Sequence, residues 1–114
     1  MISGPVVNGD GIGKTFGYPT ANLSLRRSQV AFGSGVYAAH ATLDRKVYKA
    51  ALVIQGKPWK IEVHLLDYEG PDFYGMQLSV DPIQKISEIE SYDSTDELKE
   101  KIMADLELIK EFFG

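Results

Sequence analysis

Val36–Ile54, VYAAHATLDRKVYKAALVI, carries two runs of β-branched, aromatic and small residues separated by a polar stretch. Val36–Leu43 and Val47–Ile54 therefore read as the strands of one hairpin, turned through Asp44, Arg45 and Lys46. Further strands lie on both sides. Downstream, Gln55-Gly56-Lys57-Pro58 breaks the run, Trp59–Tyr68 is the longest strand candidate, and Glu69-Gly70-Pro71-Asp72 ends it. Phe73–Ile86 carries another, in which Pro82 implies an edge or a bulge. Upstream, Val6-Val7 opens the chain as a short strand, Ala21–Leu25 forms a second, and Phe32-Gly33-Ser34-Gly35 is turn chemistry.

The last segment changes period. Ser94 with Glu97 three residues on is a capping box. Beyond it Leu98, Ile102, Leu106 and Ile109 recur at helical spacing, with Glu100, Lys101, Glu107 and Lys110 polar between them. About six short strands followed by one amphipathic helix predict a mostly β fold. The expected form is a small six-stranded antiparallel barrel, closed or nearly so, with a C-terminal α-helix laid against it.

Composition narrows the function classes. A chain of 114 residues suits one domain, here taken as residues 1–114. With 44% hydrophobic and 25% charged residues it is ordinary globular material, neither disordered nor membrane-spanning. A net charge of −4 without a basic stripe argues against a nucleic-acid partner and leaves small molecules. The absence of cysteine removes disulfides, a thiolate nucleophile and cysteine-based zinc sites. Met1–Pro5 lacks the basic region and apolar core of a signal peptide, so a cytoplasmic setting is expected.

Chemistry concentrates in Gly9–Asn22, GDGIGKTFGYPTAN. Gly9, Gly11 and Gly13 alternate, which lets the backbone turn tightly and present N–H groups without a Cβ in the way. Lys14 adds a mobile cation and Thr15 a hydroxyl; then Thr20 and Asn22 offer neutral oxygens just past the rigid Pro19. Such donors and ligands suit a magnesium-bound polyphosphate. The stretch is not a P-loop, because Asn8 stands where that motif needs its first glycine, and Phe16–Pro19 stands where its helix begins. The dinucleotide fingerprint fails as well, since Phe16 replaces its last glycine. For the glycines alone, a hairpin loop without a ligand is the better reading; the PTAN that follows changes that weighing.

A second candidate lies on the longest strand. In Ile61–Leu66 alternation places Ile61, Val63 and Leu65 on one face and Glu62, His64 and Leu66 on the other. A carboxylate among strand-forming aliphatics is a candidate general base; the competing reading puts Glu62 and His64 on a solvated outer face. His64 itself reads as an ordinary strand residue, and His40 with His64 makes no metal site. Asp72-Phe73-Tyr74-Gly75 joins two strands with an aromatic pair that either stacks on a flat ring or plugs the core.

Taken in order, GDGIGKTFGYPTANL, GSGVYAAH, IEVHLLDY, DFYG and YDSTDEL resemble the riboflavin kinase (flavokinase) module over nearly the whole chain. The combination of PTAN after a glycine loop with EVH on a later strand carries the resemblance. It implies a six-stranded Greek-key-type barrel with a C-terminal helix that converts riboflavin and ATP to FMN and ADP with Mg²⁺. By position, Thr20 and Asn22 would hold the metal, while Gly9, Gly11, Gly13, Lys14, Thr15, Pro19 and Tyr74 would serve the nucleotide. Glu62 would accept the proton of the ribityl 5′-hydroxyl, and Asp72, Phe73, Gly75, Leu98 and Ile102 would line the flavin, at the mouth of the barrel. In bacteria the module commonly belongs to a longer chain with an FMN adenylyltransferase half. The sequence departs from the pattern at Ser87, which takes the place of a family arginine, and in the short Gln55–Lys60 segment. Those departures keep a second reading open: a flavin- or nucleotide-binding barrel with impaired catalysis.

Overall fold

The structure, a computed structural model, describes residues 1–7, 18–56, 59–70, 73–89 and 95–114. Among them, six strands and one long helix run in the order β1 (Ile2–Val7), β2 (Thr20–Leu23), β3 (Gly35–Leu43), β4 (Lys46–Gly56), β5 (Trp59–Leu65), β6 (Gln77–Ser87) and α1 (Thr95–Phe113). The strands close a barrel in the spatial order β1-β2-β5-β4-β3-β6, every pair antiparallel. The chain makes the β3–β4 hairpin and then inserts β5 between β4 and β2, which is the Greek-key step.

Local chemistry explains most boundaries. Asp44 and Arg45 turn the β3–β4 hairpin with φ of 49° and 70°, the left-handed pair that matches strand twist in a two-residue loop. Pro82 sits at a bulge: Ala38 pairs Gln84 and Ala39 pairs Pro82, so Ile83 is extra. Strand bounds differ from expectation. The longest-strand candidate, Trp59–Tyr68, ends at Leu65 and is shorter than the 11-residue β4 and β6, and the second strand is Thr20–Leu23 rather than Ala21–Leu25. The first strand begins at Ile2 rather than Val6; Pro5 has no N–H to give, but its carbonyl accepts the Ser24 N–H at 3.2 Å, and Ile2–Pro5 pairs with β6. The last strand begins at Gln77 rather than Phe73, because Phe73–Met76 forms a turn instead. The expected cap at Ser94 lies outside the described residues.

Alternation sends one face of each strand inward. Ile61, Val63 and Leu65 of β5 meet Leu52, Ile54, Leu78 and Val80 in the barrel interior. The outer face is a second core. Val36, Ala38, Ala51 and Val53 form a floor on which Ile102, Leu106 and Ile109 of α1 pack. Alanines in that floor let the helix approach closely. Each fully buried aliphatic on α1 contributes about 1.5–3 kcal/mol of transfer free energy to holding it there.

Candidate functional site

Strand register assembles the site. Directly paired residues share a face, so Ser87, Val36, Val53, Glu62 and Asn22 form one row across β6, β3, β4, β5 and β2. The next row runs Gln84, Ala38, Ala51, His64 and Thr20. Both rows lie on the outer wall of the barrel, with polar residues at their ends and apolar residues beneath α1 in the middle. Asn22 stands directly opposite Glu62, which puts their Cβ atoms about 5 Å apart. The expected place of the site is therefore corrected: Glu62 is on the wall beside the helix, not at the barrel mouth. The solvated-face reading of β5 is overturned too, since Glu62 is 5% exposed and His64 0%. Alternation fixed which residues share a face, but only the folded chain decides that this part of it is buried.

Lys60 Nζ lies 3.7 Å from Glu62 Oε1 on the same face. An ion pair this poorly solvated is costly to break, because one partner alone would be a buried charge. His64 is neutral: burial, then the positive charge of Lys60, push its imidazole down to about 4. Its Nδ1 lies 2.9 Å from Thr20 Oγ1, and Thr20 donates its hydroxyl hydrogen to the Tyr18 carbonyl at 3.1 Å. Tyr18 is in turn held by α1, with Lys110 Nζ 4.9 Å from its ring centroid. Pro19 sets the entry to β2, its carbonyl accepting the Leu65 N–H at 2.9 Å.

The helix side carries a polar cluster that the sequence reading missed. Ser87 Oγ donates to Asp105 Oδ2 at 2.8 Å, and Lys101 Nζ reaches both Ser87 Oγ and Asp105 Oδ2 at 2.5 Å. The i,i+4 spacing of Lys101 and Asp105 was its readable signal. Lys101 of α1 thus stands beside Ser87 with its charge met by the Asp105 carboxylate. Leu98 and Ile102 belong to the outer core, and so share the wall on which Glu62 lies. The other departure is small in effect: Gly56 pairs Trp59 directly, so the short segment leaves β4 and β5 in register through Val53 and Glu62.

The aromatic loop divides. Phe73 is buried with the interior core, on the other side of the sheet from Glu62, and its ring meets Tyr68 edge-on at 5.2 Å. Tyr74 stacks on it at 6.5 Å and stays exposed. Gly75, at φ 83°, gives its N–H to the Val6 carbonyl at 2.8 Å. The loop is thereby tied to β1 next to Val7, which pairs Asn22. Gly9, Gly11, Gly13, Lys14, Thr15 and Asp72 lie outside the described residues. Val7, the last described residue before that glycine stretch, pairs Asn22. There an open cleft of about 470 Å³ is lined by Val7, Asn22, Ser24, Arg26, Trp59 and Lys60 among others. Arg27 stacks over Trp59 at 4.9 Å and donates to the Gly56 carbonyl, stiffening one side of that cleft.

A small antiparallel barrel with a buried acid, an amide and a hydroxyl together on its outer wall is the class that fold and site define. The family model for riboflavin kinase (flavokinase) matches residues 1–113, and the chain belongs to that family. It is 42% identical over 120 residues to the bifunctional riboflavin kinase/FMN adenylyltransferase of Escherichia coli strain K12, covering 99% of this chain and 38% of that one. The chain thus spans under half the length of that relative. Solved structures share the fold. One, titled a macrolide-efflux protein from Streptococcus pneumoniae, superposes with TM-score 0.75 at 31% identity over 95% of this chain and 37% of its own. Another, riboflavin kinase from Trypanosoma brucei, superposes with TM-score 0.65 at 23% identity over 96% and 74%. Among the described residues no helix is long and apolar enough to cross a membrane.

Proposed function

We propose that the chain is a riboflavin kinase, transferring the γ-phosphoryl group of ATP to the ribityl 5′-hydroxyl of riboflavin and releasing FMN and ADP. One observation carries this reading: a buried carboxylate, Glu62, stands directly opposite Asn22 on a covered wall. The hydroxyl oxygen forms the new bond to the γ-phosphorus as the bond to the β-phosphate oxygen breaks. Glu62 takes the hydroxyl proton, which a primary alcohol cannot release unaided at neutral pH. Little covalent help is needed otherwise, so positioning and charge neutralisation do the rest.

The donor set fits magnesium. Thr20 and Asn22 offer hard neutral oxygens from one face of β2. Among the described residues no group of three or more His, Asp or Glu could hold a metal. That suits an ion which keeps waters and takes its remaining ligands from substrate phosphates. When bound, magnesium would neutralise charge on the phosphates. Thr20 and Asn22 would hold it, the cleft beside Asn22 would take the nucleotide, and Gly9–Thr15 with Lys14 would wrap its phosphates. Tyr74 would cover the nucleotide, with Phe73 backing its ring. Leu98 and Ile102, with Asp72 and Gly75, would border the flavin.

The whole chain would act as one domain, in the cytoplasm where ATP is available, with no nucleic acid or membrane as partner. In a longer parent chain, an adenylyltransferase domain would receive the FMN. The binding-only reading gains nothing from the structure, since Lys101 stands beside Ser87 and the short segment keeps register. The test is direct: purified protein with riboflavin, ATP and Mg²⁺ yields FMN. Glu62→Gln lowers turnover by about 10²–10⁴-fold while flavin binding, read by fluorescence quenching, stays within a few-fold. A Glu62→Gln protein of near-normal turnover removes the carboxylate from the mechanism.

A further inference from the structure

His64 is fully buried in a row that runs through Ala51 and Ala38 on one side and Thr20 on the other. An aliphatic residue there would extend the apolar floor without the cost of burying an imidazole. What the imidazole does is visible in its contact with Thr20. Thr20 has a single hydroxyl hydrogen, and the Tyr18 carbonyl, which only accepts, takes it at 3.1 Å. The 2.9 Å contact between Thr20 Oγ1 and His64 Nδ1 is then satisfied by an N–H on Nδ1, with Oγ1 accepting. A hydroxyl that gives its hydrogen to one fixed group and accepts from another cannot rotate. One lone pair of Oγ1 remains, available to a cation.

We propose that His64 is a positioning residue: through Nδ1–H it locks the Thr20 hydroxyl so that Oγ1 is held ready as a ligand for the metal–nucleotide complex. Resting on the reading of Thr20 as a magnesium ligand, the proposal assigns its second partner. Ligating oxygens generally need an outer hydrogen bond that sets their orientation, and losing it typically costs about 10–100-fold in metal affinity. The arrangement reaches across β2 and β5, so it exists only because Thr20 and His64 are paired in register. The Tyr18 end is equally fixed, packed into the outer core under Lys110 of α1.

The experiment compares His64→Asn, whose amide N–H falls near the Nδ1 position, with His64→Gln, whose amide reaches the Nε2 position instead. ADP binding is measured by calorimetry across a Mg²⁺ series, with the full chain. His64→Asn is expected to match the unaltered protein within about threefold, and His64→Gln to need about tenfold more Mg²⁺ for half-maximal tightening of ADP. ADP affinity without metal should be equal in both. With saturating Mg²⁺ the kcat of His64→Gln should recover. Equal Mg²⁺ dependence for the two variants, whether both normal or both impaired, overturns the proposal. Thr20→Val separates the underlying reading: if it leaves the Mg²⁺ dependence unchanged, the threonine is no ligand and the metal assignment itself fails.

Discussion

The neutral, buried His64 should make the protein acid-sensitive in a defined window. In the unfolded chain the imidazole titrates at its ordinary 6.5, whereas in the fold it stays neutral to about 4. Between those values the unfolded state binds the proton and the native state does not. Stability is therefore complete above about 6.5, falls as pH drops through the window, and loses nothing more from this group below about 4. The gap from 6.5 to about 4, at about 1.36 kcal/mol per unit, amounts to about 3 kcal/mol. Against a domain stability of about 5–15 kcal/mol that is a large share. Thr20 and Ala51, directly opposite on β2 and β4, are uncharged; the ionic groups on the same face of β5 are Lys60 and Glu62. The assay is urea unfolding at a series of pH values from about 7.5 to 4, on the protein and on His64→Asn. Carboxylate titrations occur in both and cancel in the difference. The unaltered protein should lose about 3 kcal/mol more than the variant over this range. Parallel stability curves would refute the reasoning, because they would mean the imidazole binds its proton equally well folded and unfolded.

Other perturbations test the wall and its roof. Ile109→Ala, at a fully buried site of α1, should cost about 2–5 kcal/mol in urea unfolding; a loss under about 1 kcal/mol would mean the helix is not part of the cooperative fold. Lys101→Met strands the Asp105 carboxylate, 5% exposed, and should destabilise by about 3 kcal/mol, with Asp105→Leu in the same chain restoring most of it. Equal stability of the single and double variants would show that the pair carries no charge penalty. Asn22→Ala should raise the Mg²⁺ needed for half-maximal FMN formation, with excess Mg²⁺ partly restoring the rate; no response to added metal would contradict its role as a ligand.

Several pieces of this molecule were legible residue by residue. The β3–β4 hairpin, the helical spacing of Leu98, Ile102, Leu106 and Ile109, and the grouping of Glu62 with His64 on one face of β5 all follow from backbone periods of two and 3.6. Those periods are set by each residue's own dihedrals and its near neighbours in the chain, so a single sequence contains them. The same locality explains the misplaced starts of β1 and β6. Ile2–Pro5 is a strand because β6 lies beside it, and Phe73 is a core plug because the barrel interior needs one there.

The amino-acid sequence by itself determined which side chains travel together: Thr20 with Asn22, Glu62 with His64, and the apolar stripe of the helix. Only the tertiary structure decided that β2 lies against β5, that Asn22 meets Glu62 and Thr20 meets His64, and that α1 packs on the neighbouring β3–β4 floor with Lys101 beside Ser87. Alternation has no way of saying what covers a face. That is settled by pairings between segments some forty residues apart, whose register is chosen by the burial of the whole barrel rather than by any one strand.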